Sequence, residues 1–529
     1  MRTRPRPRPK HTLNLSPLMT HCPECGQKLL AAYDDFRTIT TLEGVVRLTL
    51  HVRRCPNPSC LRYHKPYRPE TEPHFALPHH EFGLDIIALV GYLRYVEHRS
   101  VPEIHAALRA RRVVIAQRTV TNLLDRYDEL RALAGVNPKR LRALLRPQGR
   151  VVLAIDGLQP QVGHEVLWVL RDCLSGEVLL ARSLLSATIK DIAALIREVR
   201  DVLPVPITAV VSDGQETLRK AVARTLSGIP HQLCHFHYLR EAAKPIAEAD
   251  RHAKKELKKR VRGVRPIERA VETEASLEAE AVRGYCAAVR ASLTDDGLPP
   301  LSASGLKLHQ RLNLIVSSLD RVWDRTGDLP GSLKTLRRVL SKGLNETASL
   351  WPPVKAAYRW VHRVARLLEN KKQLPAKTLR RGLSQILTKM KQAARQTKDD
   401  ELREQLQTFV KVTKSYWSGL FRCYESIDIP RTNNDLEHLF GSYRYHERRA
   451  SGRKSASASL VVQGGSRIVA ELATRLRPKE GLALPKGYLI TWRREREELE
   501  KRREARRQQR RFRQDSHGYL QRLEEILLS

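Results

Sequence analysis

Residues 149–238 show a succession of predicted elements that few folds accommodate. Helical periodicity predicts two helices, at 188–202 and 215–227. Apolar runs bounded by turn residues predict five strands, at 150–156, 165–172, 177–185, 206–212 and 230–235. Three sequential strands followed by alternation of helix and strand favour one mixed sheet with helices on its faces. The chain is therefore expected to contain an α/β domain.

Two of these predicted strands run into an aspartate. The apolar run VVLAI ends at Asp156, and the run AVVS ends at Asp213. The order of elements is similar to that of an RNase H-like fold, where the first and fourth strands are neighbours, so both carboxylates are expected at one edge of the sheet. Two hard oxygen ligands suit a pair of Mg²⁺ (or Mn²⁺) ions that share phosphate oxygens. The two aspartates therefore indicate two-metal phosphoryl transfer.

A third carboxylate is expected in RTNNDLEHLFGSYRYHERRASGRKSA, residues 431–456. A helix that begins at the asparagine pair places Glu437 on or near one stripe with Arg444 and Arg448. We expect Glu437 to face the metals and the two arginines to contact DNA phosphates. Asp435 then faces elsewhere. The alternative is that Glu437 is a solvated charge on the helix surface.

Three segments resemble a known family. SDGQETLRKAVARTLSGIPHQLCHFHYLR resembles the segment around the second catalytic aspartate of DDE transposases of the Mutator-like type and their bacterial insertion-sequence relatives. CHFH is similar to their Cys-x2-His motif, and NNDLE followed by a basic helix is similar to the region of their third carboxylate. The resemblance covers residues 149–240 and 430–456. It implies an RNase H-like nuclease core that transfers transposon ends with two metal ions.

The same resemblance assigns residue roles. It makes Asp156, Asp213 and Glu437 the catalytic triad, and it implies that Cys234 and His237 brace the active-site end of the sheet. The residues alone favour a packed core pair for Cys234 and His237, since two ligands do not complete a zinc site.

Two pairs of cysteines precede this region. Cys22 and Cys25 in HCPECG, and Cys55 and Cys60 in CPNPSC, give the spacing C-x2-C-x29-C-x4-C. Each pair lies in a turn-forming context, and the intervening alternating segment predicts strands that carry the two turns toward each other, as in a zinc ribbon. We expect one structural Zn²⁺. His64 is an alternative fourth ligand, and four unligated thiols are the other alternative.

Residues 80–135 predict three helices of a helix-turn-helix unit. Ser100 and Glu103 form a predicted capping box, and the last helix is expected to begin near Ala116. An ordinary three-helix packing unit is the alternative. The exposed residues near the start of the last helix are types that contact base edges and phosphates in a major groove: Gln117, Arg118, Thr119 and Asn122.

The 224 positions between Asp213 and Glu437 are too many for one crossover, so a separate unit is expected there. Its segments have helical periodicity with basic outer faces and almost no strand pattern. We predict an all-helical insertion. Residues 491–515 predict a further basic helix, which has eleven Lys or Arg against six acidic residues.

Charge and cysteine content limit the partners and the compartment. A formal net charge of +38 requires a polyanionic partner, and double-stranded DNA, as transposon ends and target, is favoured over a membrane. No apolar run of membrane-spanning length and no signal-peptide pattern occurs in the sequence. Eight cysteines, four in close pairs, fit metal binding in a reducing compartment. We expect a cytoplasmic, nucleoid-associated prokaryotic protein that forms a homodimer or larger assembly on DNA.

The sequence therefore predicts a multidomain DNA transposase. The alternatives are a transposase-derived DNA-binding protein without catalysis and a structure-selective nuclease on the same core. The predicted domains are a basic disordered arm (1–11), a zinc ribbon (12–75), a helix-turn-helix domain (76–147), the first part of the RNase H-like core (148–240), the helical insertion (241–428), the last part of the core (429–480) and a basic C-terminal helix (481–529).

Overall fold

The structure is a computed structural model whose described residues form two compact units. The first unit comprises residues 1–151, 155–206 and 434–529, and the second comprises residues 152–154 and 207–433. The described residues are 8–135, 138–159, 165–184, 187–261, 264–294, 297, 299–452, 458–478, 482, 484–485 and 487–528.

The N-terminal module is a small sheet of four strands. They are β1 (His11–Leu15), β2 (Leu30–Thr41), β3 (Gly44–Arg54) and β4 (Pro66–Tyr67). β2 and β3 pair antiparallel from Leu30 opposite Arg54 to Thr41 opposite Gly44. The alternation in β3 buries Leu48 and Leu50, as expected for a strand with one covered face. The open end of this hairpin carries one cysteine pair before β2 and the other after β3.

The basic arm is shorter at its C-terminal end than predicted. Residues 1–7 lie outside the described part of the chain. The backbone N–H of Lys10 donates to the carbonyl of Val45 at 2.7 Å, and His11 already lies in β1, which pairs parallel with β3. Pairing with β3 therefore includes His11, the last residue of the predicted arm, in the sheet.

The predicted helices of residues 80–135 are present in the first unit. They are α1 (Leu84–Tyr95), α2 (Val101–Ala110) and α3 (Gln117–Gly135), followed by α4 (Pro138–Gln148). The capping box at the start of α2 is confirmed, because Ser100 accepts from the Glu103 backbone and Glu103 accepts from the Ser100 backbone. A Cβ at Gly91 would lie 2.2 Å from the Tyr127 ring, so a glycine is required where α1 packs on α3.

The predicted five-stranded sheet is present with its elements in the expected chain order. These are β5 (Val151–Leu158), β6 (Val166–Asp172), β7 (Val178–Leu184), α5 (Ile189–Val202), β8 (Ile207–Ser212), α6 (Glu216–Thr225) and β9 (His231–Leu233). The strand order is β7-β6-β5-β8-β9, with β6 and β7 antiparallel and β8 and β9 parallel. Residues 160–164, between β5 and β6, lie outside the described part of the chain.

The end of β5 differs from the prediction. The strand was expected to end at Asp156, but it continues to Leu158. Leu158 is buried, so the apolar pattern resumes after the aspartate. Asp156 therefore lies inside a strand, two residues before its end.

Helices dominate the second unit after β9. They are α7 (His235–Ala242), α8 (Lys244–Arg260), α9 (Val264–Ala270), α10 (Leu277–Thr294), α11 (Ser304–Thr326), α12 (Gly331–Glu346), α13 (Trp351–Glu369), α14 (Ala376–Gln396) and α15 (Asp400–Tyr416). No strand occurs among the described residues between α7 and α15. Amphipathic faces of these helices form apolar cores, and one core includes Leu233 of β9 and Tyr238 of α7 together with Phe409 of α15.

The C-terminal part of the first unit is also helical. Its elements are α16 (Asn434–Ser451), α17 (Ala458–Leu476), α18 (Tyr488–Gln514) and α19 (Ser516–Leu528). α17 packs on α3 and on β7. A Cβ at Gly465 would lie 2.5 Å from the carbonyl oxygen of Ala181 in β7, so the glycine permits this close approach. Within the described ranges, no helix has the length and apolar character needed to cross a membrane.

Candidate functional site

The four N-terminal cysteines form one compact cluster. Their sulfur atoms all lie within 4.8 Å of one another, with Cys22 Sγ 3.7 Å from Cys60 Sγ and Cys25 Sγ 3.5 Å from Cys55 Sγ. A tetrahedral zinc with Zn–S bonds of about 2.3 Å requires sulfur separations of about 3.8 Å. His64 is not part of this group. The cluster fits a structural zinc held by four cysteines.

The environment of these thiols favours the thiolate of Cys22 and opposes that of Cys55. A hydrogen bond with the Tyr67 hydroxyl, 3.3 Å away, lowers the pKa of the Cys22 thiol to about 6. Burial raises the pKa of the Cys55 thiol to about 12. A cysteine binds zinc as a thiolate. Zinc binding would therefore release the proton of the Cys55 thiol as well as any proton that remains on Cys22.

Asp156 is a buried carboxylate in a strand of apolar residues. Its residue is 7% exposed, and one carboxylate oxygen, Oδ1, accepts from the backbone N–H of Gly157 at 2.8 Å. Burial of an ionised carboxylate is unfavourable unless hydrogen bonds or a cation compensate it. Asp156 is therefore a carboxylate whose burial depends on compensation from its surroundings.

Asp213 immediately follows β8 in a tight turn. Gly214 has φ +89°, and a Cβ there would lie 2.5 Å from the Tyr416 ring. The Tyr416 hydroxyl lies 3.0 Å from the Asp213 carbonyl oxygen and 2.5 Å from Glu241 Oε2. Helix α15 therefore supports the backbone of this turn through Tyr416.

The Asp213 side chain is held by its own turn and is partly desolvated. Oδ1 accepts from the backbone N–H of Gln215 at 3.0 Å. Burial raises the pKa of Asp213 above its ordinary value, while the Gln215 N–H and the charge of His237 act in the opposite direction. An acid with a raised pKa beside a turn is typical of a functional position, although structural networks also produce such shifts.

The CHFH segment lies directly after β9. Cys234 is fully buried, and its sulfur accepts from the backbone N–H of Asn433 at 3.3 Å. The His235 ring, also buried, lies 2.7 Å from the carbonyl oxygen of Leu420. His235, Tyr416 and Glu241 were not among the predicted site residues. Only His235 could have been found from the sequence, because it lies inside the CHFH motif.

The helix that carries the predicted third carboxylate begins at Asn434, within one residue of its expected start. Glu437 is half-buried, whereas Arg444 and Arg448 are exposed. Phe440, three positions after Glu437 in the same helix, is 6% exposed. The Asp435 side chain lies outside the described residues, so the choice between the two acids stays a prediction.

The predicted base-reading residues lie at the N-terminal end of α3. Gln117, Arg118 and Asn122 are exposed and Thr119 is half-buried. The C-terminal half of the same helix is buried, including Asp128 and Arg131. The exposed end is accessible to a nucleic acid, and the buried end is part of the first unit's core.

A buried charge network joins α3 to α16 and α17, and sequence reasoning missed it. Asp128 Oδ2 lies 3.1 Å from Arg467 Nε, and Asp128 Oδ1 accepts from the Tyr95 hydroxyl at 2.5 Å. Glu447 Oε1 lies 3.4 Å from Arg94 Nη2 and 3.7 Å from Arg467 Nη1. The four charged side chains are at most 10% exposed, and Tyr95 is 1% exposed.

One comparison with known proteins bears on this geometry. Residues 199–297 match the model of a protein family described as "Transposase, Mutator family". The match supports a transposase. It includes Asp213 and the CHFH segment, whereas Asp156 precedes it and Glu437 follows it. No curated protein matches the chain.

Proposed function

We propose that this transposase binds the ends of a transposon and cuts and joins DNA strands by two-metal phosphoryl transfer at Asp156, Asp213 and Glu437. The observation that carries the proposal is the strand order. β5 and β8 are neighbours in the sheet, Asp156 lies near the end of the first, and Asp213 directly follows the second within the segment matched by the transposase family. The resemblance of NNDLE to the third-carboxylate region adds Glu437.

The donor set suits the proposed metal. Carboxylate oxygens are the ligands that Mg²⁺ and Mn²⁺ prefer. When bound, two such ions supply the positive charge that activates a water or a DNA 3′-hydroxyl and stabilises the leaving oxygen. The chain's contribution is to hold its carboxylates in place: the Gly157 N–H orients Asp156, and the Gln215 N–H orients Asp213.

Other parts of the chain bind DNA in this proposal. The exposed arginines of α16, Arg444 and Arg448, contact phosphates near the cleaved bond. Gln117, Arg118, Thr119 and Asn122 at the start of α3 contact the transposon end, as in a helix-turn-helix protein. In this proposal the N-terminal zinc-binding module is a folded domain that assists binding of the transposon ends.

Substitution of each aspartate by asparagine tests the catalytic part. Asp156→Asn and Asp213→Asn keep the side-chain shape but lose the charge that holds a cation, so each should abolish cleavage of labelled DNA bearing the ends of the encoding element while binding persists. Glu198→Gln, which removes an exposed carboxylate from α5, is the matched control and should cleave normally. Full cleavage by either aspartate variant in Mg²⁺ contradicts the proposal.

The third carboxylate is tested by a pair of variants. In the predicted helical register Glu437 faces the metals, and Asp435, two positions away, faces elsewhere. We expect Glu437→Gln to remove cleavage and Asp435→Asn to retain most of it. The opposite result would show that the helical register and the third ligand are both wrong. Cleavage without strand joining by the parent protein would favour the nuclease alternative.

A further inference from the structure

The C-terminal helix α18 has two halves that differ in how they attach to the first unit. Its N-terminal half is anchored by apolar burial and hydrogen bonds: Tyr488, Trp492 and Leu499 are at most 8% exposed, and Trp492 Nε1 donates to Glu129 Oε2 at 2.8 Å. From residue 500 to residue 514, no residue is buried. The second half therefore lies on the unit's surface without an apolar face beneath it.

This second half is strongly basic. Residues 500–514 contain eight Lys or Arg and two Glu. Arg503 forms an ion pair with Glu500 at 2.7 Å, and Arg507 forms one with Glu504 at 2.9 Å. Arg503 also pairs with Asp125 of α3 at 3.0 Å. These contacts fix the helix against α3 but neutralise only part of its charge.

Three arginines on the same half lack such compensation. Within the described part of the chain, Arg506, Arg510 and Arg513 form no ion pair, and Arg506 Nη1 is buried without a hydrogen-bond partner. Their spacing of four and three residues places them on one face of the helix. A guanidinium that forms no ion pair keeps its capacity to bind an anion, so these three side chains are suited to one.

These arginines line a groove of about 650 Å³ between α18, α17 and α3, which we call the arginine groove. Asn122 of α3 also lines it, together with Arg503 and Arg507. Arg118, Asn122 and Asp125 follow one face of α3 at spacings of four and three residues, so the exposed end of α3 continues into the groove.

We propose that the arginine groove binds the phosphate backbone of double-stranded DNA beside the exposed end of α3. The inference rests on the proposed function, since it concerns the same DNA, but it adds a binding surface from the C-terminal helix. Guanidinium groups are suited to phosphate because they donate two hydrogen bonds in a fixed plane. A row of three at helical spacing fits a row of phosphates better than a single small anion. The N-terminal residues of α3 would then contact base edges while α18 follows the adjacent strand.

The test compares two triple variants of the full chain. Arg506→Gln/Arg510→Gln/Arg513→Gln removes the uncompensated charges of the groove. Arg494→Gln/Lys501→Gln/Arg511→Gln removes three charges from other positions of the same helix. Glutamine keeps helix propensity close to that of arginine, so α18 is expected to remain folded in both, and circular dichroism checks this. Binding to a short random-sequence DNA duplex is measured across a series of salt concentrations.

The groove variant should bind more weakly, and the slope of log affinity against log salt should fall by roughly 2 to 3, about 0.9 for each lost phosphate contact. The control triple should keep the parent slope to within about one contact. Equal slopes for the parent protein and the groove variant would overturn the inference while leaving the proposed function intact. A parent protein that does not bind duplex DNA would overturn both. Equal losses in the two triples would also overturn the inference, because they indicate a response to net charge alone.

Discussion

Two clusters of ionisable groups in the first unit are built on opposite principles. The cysteine cluster gathers four side chains that ionise with the same sign. The network of Arg94, Asp128, Glu447 and Arg467 gathers charges of both signs in contact.

The difference shows where the compensating charge comes from. Like-charged ligands require a cation from outside the chain, so their stability depends on the metal supply. A mixed network compensates itself, so its stability depends on every member being present, because removal of one leaves another charged and buried.

The largest effect is expected at the cysteine cluster. Cys55→Ser should abolish stoichiometric zinc binding, because one thiolate of four is lost and structural zinc binding is worth about 10–16 kcal/mol in comparable sites. Metal analysis of the full chain should find one zinc in the parent protein, and hydrogen exchange of β2 and β3 should become fast in the variant. Cys173→Ser, which lies outside the cluster, is the control. Slow exchange in metal-free Cys55→Ser would show that the module does not depend on the ion.

A smaller effect is expected in the charge network. Asp128→Ala removes the nearer of the two carboxylates beside the buried Arg467 and leaves only Glu447, 3.7 Å away, while the buried Tyr95 hydroxyl loses its acceptor. The loss should destabilise the packing of α3 on α17 by about 3–5 kcal/mol. Hydrogen exchange of peptides from these helices measures the change. The double variant Asp128→Leu/Arg467→Met removes both charges and should be much less destabilised than the single one. If the single and double variants lose the same stability, burial of an unpaired charge is not the cause.

The smallest effect concerns pH and Glu471 of α17. Burial raises the pKa of this carboxyl to about 7, against the opposing effect of Arg475, whose Nη1 lies 3.4 Å away. The folded state therefore binds the proton of the Glu471 carboxyl more tightly than the unfolded state does. The stability that this protonation contributes is lost as pH rises from about 4.5 to 7.

Glu471→Gln lacks this titration. Its stability relative to the parent protein should therefore increase between pH 5 and pH 8, by up to about 3 kcal/mol. Urea unfolding of both proteins at the two pH values measures the difference, and the comparison cancels the histidines that titrate in the same range. A difference that is constant with pH would mean that Glu471 is already ionised in the folded protein at pH 5.

Features determined by neighbouring residues could be predicted from the sequence. The capping box at Ser100, the strand that precedes Asp213 and the cysteine spacing all depend on local patterns, and the structure contains each of them. The end of β5 differs from the prediction, because an aspartate after an apolar run predicts a strand terminus whereas Leu158 continues the apolar pattern.

The charge network could not be predicted in this way. Asp128 and Arg467 are 339 positions apart, and each alone is compatible with an exposed helix position. Only the packing of α3 on α17 makes them partners. Likewise, a helical stripe specifies one side of α16 but not what that side faces. Whether Glu437 lies beside Asp156 and Asp213 therefore stays a prediction.

The contact between Gly214 and Tyr416 has a consequence for the timing of synthesis. The Asp213 carbonyl and the Tyr416 hydroxyl are separated by 203 positions. A ribosome that adds about 5–20 residues per second needs roughly 10–40 s to make that much chain. During this interval the turn after β8 has been synthesised but lacks the ring that packs against its glycine. The order of translation therefore delays completion of the Asp213 turn until almost all of the second unit has been made.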